Sequence, residues 1–276
     1  MIDTASELEA VHVKLFLESL FLRYGYDFRG YAYPSIRRRI LRLVMLEEVT
    51  GIPELQARVL KEPACLERVL HSLTIHVTAM FRDPEFFEQV RAKVVPVLRT
   101  YPFVRIWVAG CASGEEVYSL AILLHEEDLY QRCRMYGTDI SESVVQKAKA
   151  GIFPLAAMKD YTSNYIRAGG KEDFSKYYTA SGGGATFRPW LRDNVVFAQH
   201  NLVTDGSPNE FTLIFCRNVM IYFTGDLQAR VHTLLYSSLV RLGVLALGRR
   251  ESLRFTPHEH EYEGIDSKQR LFKKVG

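Results

Sequence analysis

Glu115 and Glu116 follow a turn bracketed by Gly110 and Gly114, and Asp139 closes the same segment of chain. A glycine turn lets a ligand approach the backbone, and an acid after a second strand can hold ribose hydroxyls. Two carboxylates at a helix start would repel a pyrophosphate and suit a cationic ligand. The second and third glycines of the dinucleotide fingerprint are not at their spacing, which argues against a nicotinamide-linked oxidoreductase. Upstream, Arg82 could hold a carboxylate through two parallel hydrogen bonds, as an amino-acid-bearing ligand would need. His76 and Thr78 precede it in the stretch LTIHVTAMFRD. Downstream, Arg217 and Asn218 end an apolar run, where strand ends of a parallel sheet line a ligand crevice.

These residues need a sheet to position them. Residues 105–109 form a short apolar run of the kind buried in a parallel sheet. Val117, Leu120, Ala121 and Leu124 recur at helical spacing after the acids, and residues 134–137 read as the next strand. Further strands are expected at 194–199, 210–216 and 244–247, with a helix over 227–242 ended by Gly243. Ser141 caps a helix through Val144, Val145 and Ala148. Residues 158–176 read as a polar stretch, and 177–190 as a hairpin-like excursion around a glycine tip. Asp83 and Pro84 suit the cap and first residue of a helix whose apolar face is Phe86, Phe87, Val90, Val94 and Val97.

Residues 5–72 read as helical. Leu8, Val11, Leu15 and Leu22 define one apolar face, and Ile36, Ile40, Leu43 and Val44 another. Arg37, Arg38, Arg39 and Arg42 fall largely off that second stripe. They form either a solvated helix face or a docking surface for an acidic protein.

The 35 basic and 32 acidic side chains leave a net charge of +3, too little to argue for nucleic acid. The four cysteines are scattered, with no CxxC pair, as in a reduced, cytoplasmic protein. The N-terminus is polar and acidic, unlike a signal peptide, and no apolar run approaches the ~20 residues of a membrane span. His258 and His260 in an HEHE run are expected to be solvated, and no metal site is expected.

Four stretches together resemble one family. LTIHVTAMFRD is similar to the TTNxTxFFR motif of the chemotaxis receptor methyltransferases (CheR), the protein-glutamate O-methyltransferases. AGCASGEEVYS with TDI resembles their AGCSTGEEPYS and TDI, IFCRNVMIYF matches a third motif, and YPSIRRRI is similar to their basic helix. The closing EYEGIDSKQRLFKKVG also resembles theirs, so the likeness spans nearly the whole chain.

The resemblance implies an α/β fold: a class I (Rossmann-like) methyltransferase sheet with helices on both faces, a small inserted β-subdomain and an N-terminal all-helical domain. It divides the chain into a substrate-docking domain at 1–72, a linker strap and helix at 73–100, and a catalytic domain at 101–276 with the β-subdomain at about 171–192. It implies S-adenosylmethionine as cofactor, with S-adenosylhomocysteine as product, and methyl ester formation on glutamates of a chemoreceptor's cytoplasmic helical domain. Asp139 would take the ribose, Glu116 the cationic end, Arg82 with Thr78 and His76 the carboxylate end, and Asn201 and Leu202 the adenine, beside the turn at Gly110. Arg217, Asn218 and Tyr222 would line the place where donor and acceptor meet, with Arg217 and Tyr222 holding the acceptor carboxylate. Each has an ordinary alternative: Glu116 as a helix-start acid, Tyr222 as core, Asn201 as a turn residue. A monomer is expected, without nucleic acid or membrane insertion.

Some positions depart from the family pattern. His76 stands for the usual Asn and adds a titratable group near a cationic ligand. Met80 replaces a Phe, and Arg249-Arg250 replace the His and Ser of GHSESL. The departures motivate a second reading, a non-catalytic signalling module that binds S-adenosylmethionine or S-adenosylhomocysteine and regulates a partner. A nucleic-acid amino-methyltransferase is disfavoured, because Arg217-Asn218-Val219 stands where the Asn/Asp-Pro-Pro-aromatic motif would.

Overall fold

A computed structural model describes residues 4–74 and 78–276. The chain divides into two compact units. The first comprises Met1–His76, Asn201–Asp205 and Tyr222–Val231, so two short segments from within the expected catalytic domain fold with the helices. Its helices are α1 (Thr4–Tyr24), α2 (Tyr33–Leu46), α3 (Ile52–Lys61) and α4 (Pro63–Leu73). Prolines open α2, α3 and α4, where a missing N–H costs nothing.

The expected core face of α1 is corrected by the structure. Leu8, Val11, Leu15 and Leu22 are exposed, and Val13, Phe16, Leu17 and Leu20 are buried instead. Apolar residues lie on both sides of this helix, so periodicity alone selects the wrong stripe. On α2 the expected stripe holds for Ile36, Ile40 and Leu43, which are buried.

The second unit is built on β1 (Val104–Ala109), α7 (Glu115–Glu126), β2 (Cys133–Asp139) and α8 (Glu142–Ala150). Ahead of them come α5 (Pro84–Gln89) and α6 (Val95–Arg99), joined by one wide π turn. Strands β3 (Ile152–Pro154), β4 (Tyr178–Ser181) and β5 (Gly184–Phe187) form a small antiparallel sheet in the order β3-β5-β4. The small sheet thus recruits a strand from ahead of the expected 171–192 insertion. Gly182 and Gly183 make the two-residue turn between β4 and β5, both at positive φ (55° and 82°), as a tight hairpin requires. The expected polar stretch contains α9 (Met158–Arg167), whose Tyr161 and Tyr165 are buried.

The main sheet is completed by β6 (Val195–Gln199), β7 (Phe211–Cys216), β8 (Leu239–Leu247), β9 (Tyr262–Asp266) and β10 (Leu271–Lys274), with α10 (Gly225–Ser238) before β8. The order is β6-β2-β1-β7-β8-β10-β9, parallel except where β10 pairs with its neighbours. Every residue of β7 and all but Arg105 of β1 are buried, as central parallel strands must be. Strand order reverses between β1 and β7, which places the ligand crevice at their carboxyl ends. The helix expected to reach residue 242 stops at Ser238, and the next residues join β8 through a register shift beside Leu242 at φ 65°.

His232 of α10 is buried, and burial brings its imidazole from 6.5 down to about 4. The folded state therefore binds fewer protons than the unfolded chain between those values, and stability is lost as pH falls through that window. A span of that width is linked to about 3 kcal/mol. Urea midpoints measured from pH 6.5 to 4.5 should fall less steeply in His232→Gln than in the wild type.

Candidate functional site

The turn after β1 is tied to the end of β2. Gly110 and Cys111 both donate their N–H to the Thr138 carbonyl at 2.8 Å. The Asp139 carboxylate accepts Ala112 N–H and Ser141 N–H, each at 3.0 Å. Burial pushes the Asp139 carboxyl up, and those N–H donors oppose the rise. Its oxygens retain lone pairs for a ligand hydroxyl. Gly110 has φ 74°, and a Cβ there would come within 2.5 Å of Val219 Cγ2. Only glycine satisfies both constraints. The second constraint also shows how closely the turn after β7 approaches the turn after β1.

The two acids opening α7 diverge. Glu115 turns inward, accepting the Ser113 hydroxyl at 2.7 Å and the Tyr161 hydroxyl at 3.3 Å, and burial pushes its carboxyl up. Glu116 meets Arg217, which follows β7. Arg217 Nη1 lies 2.5 Å from Glu116, and Nη2 lies 2.7 Å from Asp83. The Arg217 side chain is 1% exposed, and its guanidinium lies 3.8 Å from the Phe86 ring centroid. Its Nε is buried with no hydrogen-bond partner among the described residues. This is a carboxylate–guanidinium–carboxylate triad with an excess of negative charge.

The strap enters this triad under strain. Phe81 (φ 50°) and Asp83 (φ 60°) are left-handed non-glycine residues on either side of Arg82. Phe81 is buried, and its N–H donates to the Ser119 hydroxyl at 2.8 Å. Asn164 donates to the Met80 carbonyl at 3.1 Å. Asp83 heads α5 but makes no side-chain capping bond, contrary to the sequence expectation, because its carboxylate is turned to Arg217. Arg82 and Thr78 are half-buried beside it in the chain, and His76 lies outside the described residues.

A second buried acid organises the turn after β7. Glu251 accepts four backbone N–H groups: Gly248 at 2.6 Å, Asn218 at 3.0 Å, Val219 at 2.9 Å and Met220 at 2.8 Å. Burial pushes its carboxyl up, and the four donors oppose this. Asn218 is held at φ 61° in that turn.

Asn201, Leu202 and Tyr222 fold with the helical unit. Asn201 makes a turn of its own chain, its side-chain oxygen accepting Val203 N–H at 3.0 Å. Leu202 and Tyr222 are half-buried. The Arg39 guanidinium sits 4.9 Å from the Tyr222 ring centroid and donates to the Leu73 carbonyl and, at 3.1 Å, to the Ser35 hydroxyl. Arg39 is 8% exposed, so its place in the docking surface is corrected: it is an internal brace. Arg37 pairs with Glu9, while Arg38 and Arg42 are exposed.

Sequence reasoning missed Asp83 as an organiser of the site, and for Glu251 it reached a structural part in the segment that replaces GHSESL but not the four backbone groups it holds. Asp-Pro is so favourable a helix start that it hides a second use of the carboxylate. Nothing in a turn rich in arginine announces that its acid is buried.

Counting only the seven strands of the main sheet, their spatial order is 3-2-1-4-5-7-6, and an acid-lined glycine turn sits at the switch point. These features define a class I methyltransferase domain. The chain belongs to the CheR methyltransferase family: the family model of the SAM binding domain matches residues 76–269 and that of the all-alpha domain residues 12–74. Cher3 of Pseudomonas putida is 46% identical over 264 residues, covering 96% of this chain and 97% of that protein. A chemotaxis protein methyltransferase of Pseudomonas aeruginosa is 30% identical over 238 residues, covering 82% and 84%. One of Listeria innocua is 28% identical over 231 residues, covering 83% and 85%.

S-adenosylmethionine is accordingly the cofactor, and the residues present fit it. The negative triad suits a sulfonium, and the Gly110 turn leaves room that a Cβ would fill. When bound, the cofactor supplies a methyl group activated by the positive sulfur. Glu116→Gln should weaken S-adenosylmethionine about tenfold more than S-adenosylhomocysteine, since only the first carries that charge. Paired calorimetric titrations measure the difference.

Proposed function

We propose that this chain methylates glutamate side chains on the helical cytoplasmic domain of a chemoreceptor, forming methyl esters. The Asp83–Arg217–Glu116 triad carries the reading. It offers negative charge to a sulfonium, and no histidine or lysine pairs with it among the described residues. A glutamate acceptor needs no base, because its carboxyl, with an unperturbed pKa of about 4.3, is already ionised at neutral pH. Rate enhancement then comes from in-line positioning and from removing water around the attacking carboxylate. The names of the Pseudomonas aeruginosa and Listeria relatives support a chemotactic substrate.

In this reading Asp139 takes the ribose hydroxyls, and Arg82 with Thr78 and His76 takes the carboxylate end. Asn201 and Leu202 border the adenine, and Asn218 and Tyr222 adjoin the acceptor. Arg217 departs from its expected part. Both its terminal nitrogens hold carboxylates, so its task is to order the two acids.

Arg38 and Arg42 are the exposed cations that would meet an acidic receptor helix. The test is transfer of radiolabelled methyl groups to receptor cytoplasmic fragments, with the label recovered as base-labile ester. Reversing Arg38 and Arg42 to Glu together should lower kcat/KM about tenfold or more with S-adenosylhomocysteine affinity unchanged. A wild-type protein that binds S-adenosylhomocysteine yet labels no glutamate would sink the proposal in favour of the non-catalytic reading.

A further inference from the structure

Arg249, one of the two arginines that depart from the family motif, sits at the edge of the triad. Arg249 Nε is 3.9 Å from Oδ1 of Asp83, and Arg217 holds Oδ2 of the same carboxylate. The two guanidinium groups therefore flank one carboxylate, Arg217 buried and Arg249 48% exposed. We propose that Arg249 receives the carboxylate of the methyl acceptor, the part that Arg217 cannot play. The inference rests on a glutamate side chain being the acceptor.

Three features support it. First, Arg217 is sealed: an incoming carboxylate would have to displace Asp83 or Glu116 from a side chain that solvent does not reach. Second, Arg249 is available at small cost. Its other partner, Glu85 at 3.0 Å, is itself half exposed, and an ion pair of that kind holds weakly. Glu85 also keeps a second cation, Arg167 at 2.6 Å, so it stays paired when Arg249 turns away. The guanidinium can then present two parallel N–H groups to the acceptor. Third, the base of Arg249 is rigid. Glu251, two residues on, fastens Gly248 to the backbone of residues 218–220, so the arginine is held against the turn after β7. Arg250, exposed next to it, adds to the local positive field that draws an anion to this edge.

Arg249→Ala and Arg249→Lys should be compared with the wild type in the receptor-fragment methylation assay, with S-adenosylhomocysteine affinity measured by calorimetry. Arg249→Ala should lose about tenfold or more in kcat/KM, mainly through KM, with S-adenosylhomocysteine affinity within about twofold of wild type. Arg249→Lys should recover part of the loss, since it restores charge without the fork. Glu85→Gln, which removes a competitor for Arg249, should lower KM. Unchanged kcat/KM in Arg249→Ala overturns the inference while leaving glutamate methylation intact. So does a parallel loss of S-adenosylhomocysteine affinity, which would assign Arg249 to the cofactor. Absence of ester label with the wild type removes the glutamate reading and this inference with it.

Discussion

Arg217→Ala should cost about 3–5 kcal/mol of unfolding free energy and abolish S-adenosylmethionine binding. The loss is large because Asp83 and Glu116, both mostly buried, would lose the cation that lies between them, leaving Asp83 only the half-exposed Arg249 at 3.9 Å and Glu116 no cation among the described residues. The cost belongs to the stranded charges more than to the ion pairs themselves. Replacing the whole triad by neutral groups should therefore recover much of the stability: Arg217→Met with Asp83→Asn and Glu116→Gln is expected to unfold near the wild-type denaturant midpoint. It should still bind no cofactor, because the negative charge that suits a sulfonium is gone. Stability restored without binding is the result that ties the triad to function. A triple variant as unstable as Arg217→Ala would show that packing on Phe86, 3.8 Å away, dominates instead.

Glu251→Ala should be the most damaging single change outside the triad. It leaves four backbone N–H groups without their acceptor in a buried site. At about 1 kcal/mol or more for each stranded donor, the total is roughly 4 kcal/mol. Glu251→Gln keeps an acceptor oxygen but turns an amide NH2 toward at least one of those donors, so an intermediate loss is expected. Both should weaken S-adenosylhomocysteine binding, since the same turn carries Arg217 and places Val219 against Gly110. Denaturant titration with calorimetry on the two variants checks the order. Wild-type affinity in Glu251→Ala would mean that the turn holds its shape without the carboxylate.

The central site elements were legible because their chemistry is local. A glycine turn, a helix opened by two acids and a strand ended by an acid are short-range patterns, and Gly110, Glu116 and Asp139 follow from them. The parallel sheet is likewise legible, since strands buried on both faces read as near-continuous apolar runs, as in FTLIFC, where Thr212 is the one polar residue. The family's motifs add the cofactor class, which spacing alone does not separate from other nucleotides.

Tertiary structure decided what long-range partners decide. Asp83 reads as a helix cap until Arg217, distant in sequence, claims its carboxylate. Arg39 reads as a surface charge until Leu73 and Tyr222 enclose it, whereas Arg38 beside it stays exposed. The face of α1 that is buried depends on which side meets the other helices, since both sides carry apolar residues. Glu251 needs four backbone donors from two turns to become an organising residue. In each case the sequence by itself determined the kind of group, and the fold determined its partner. Charge and hydrogen-bonding capacity are intrinsic to a side chain, but burial and pairing arise only when distant segments meet.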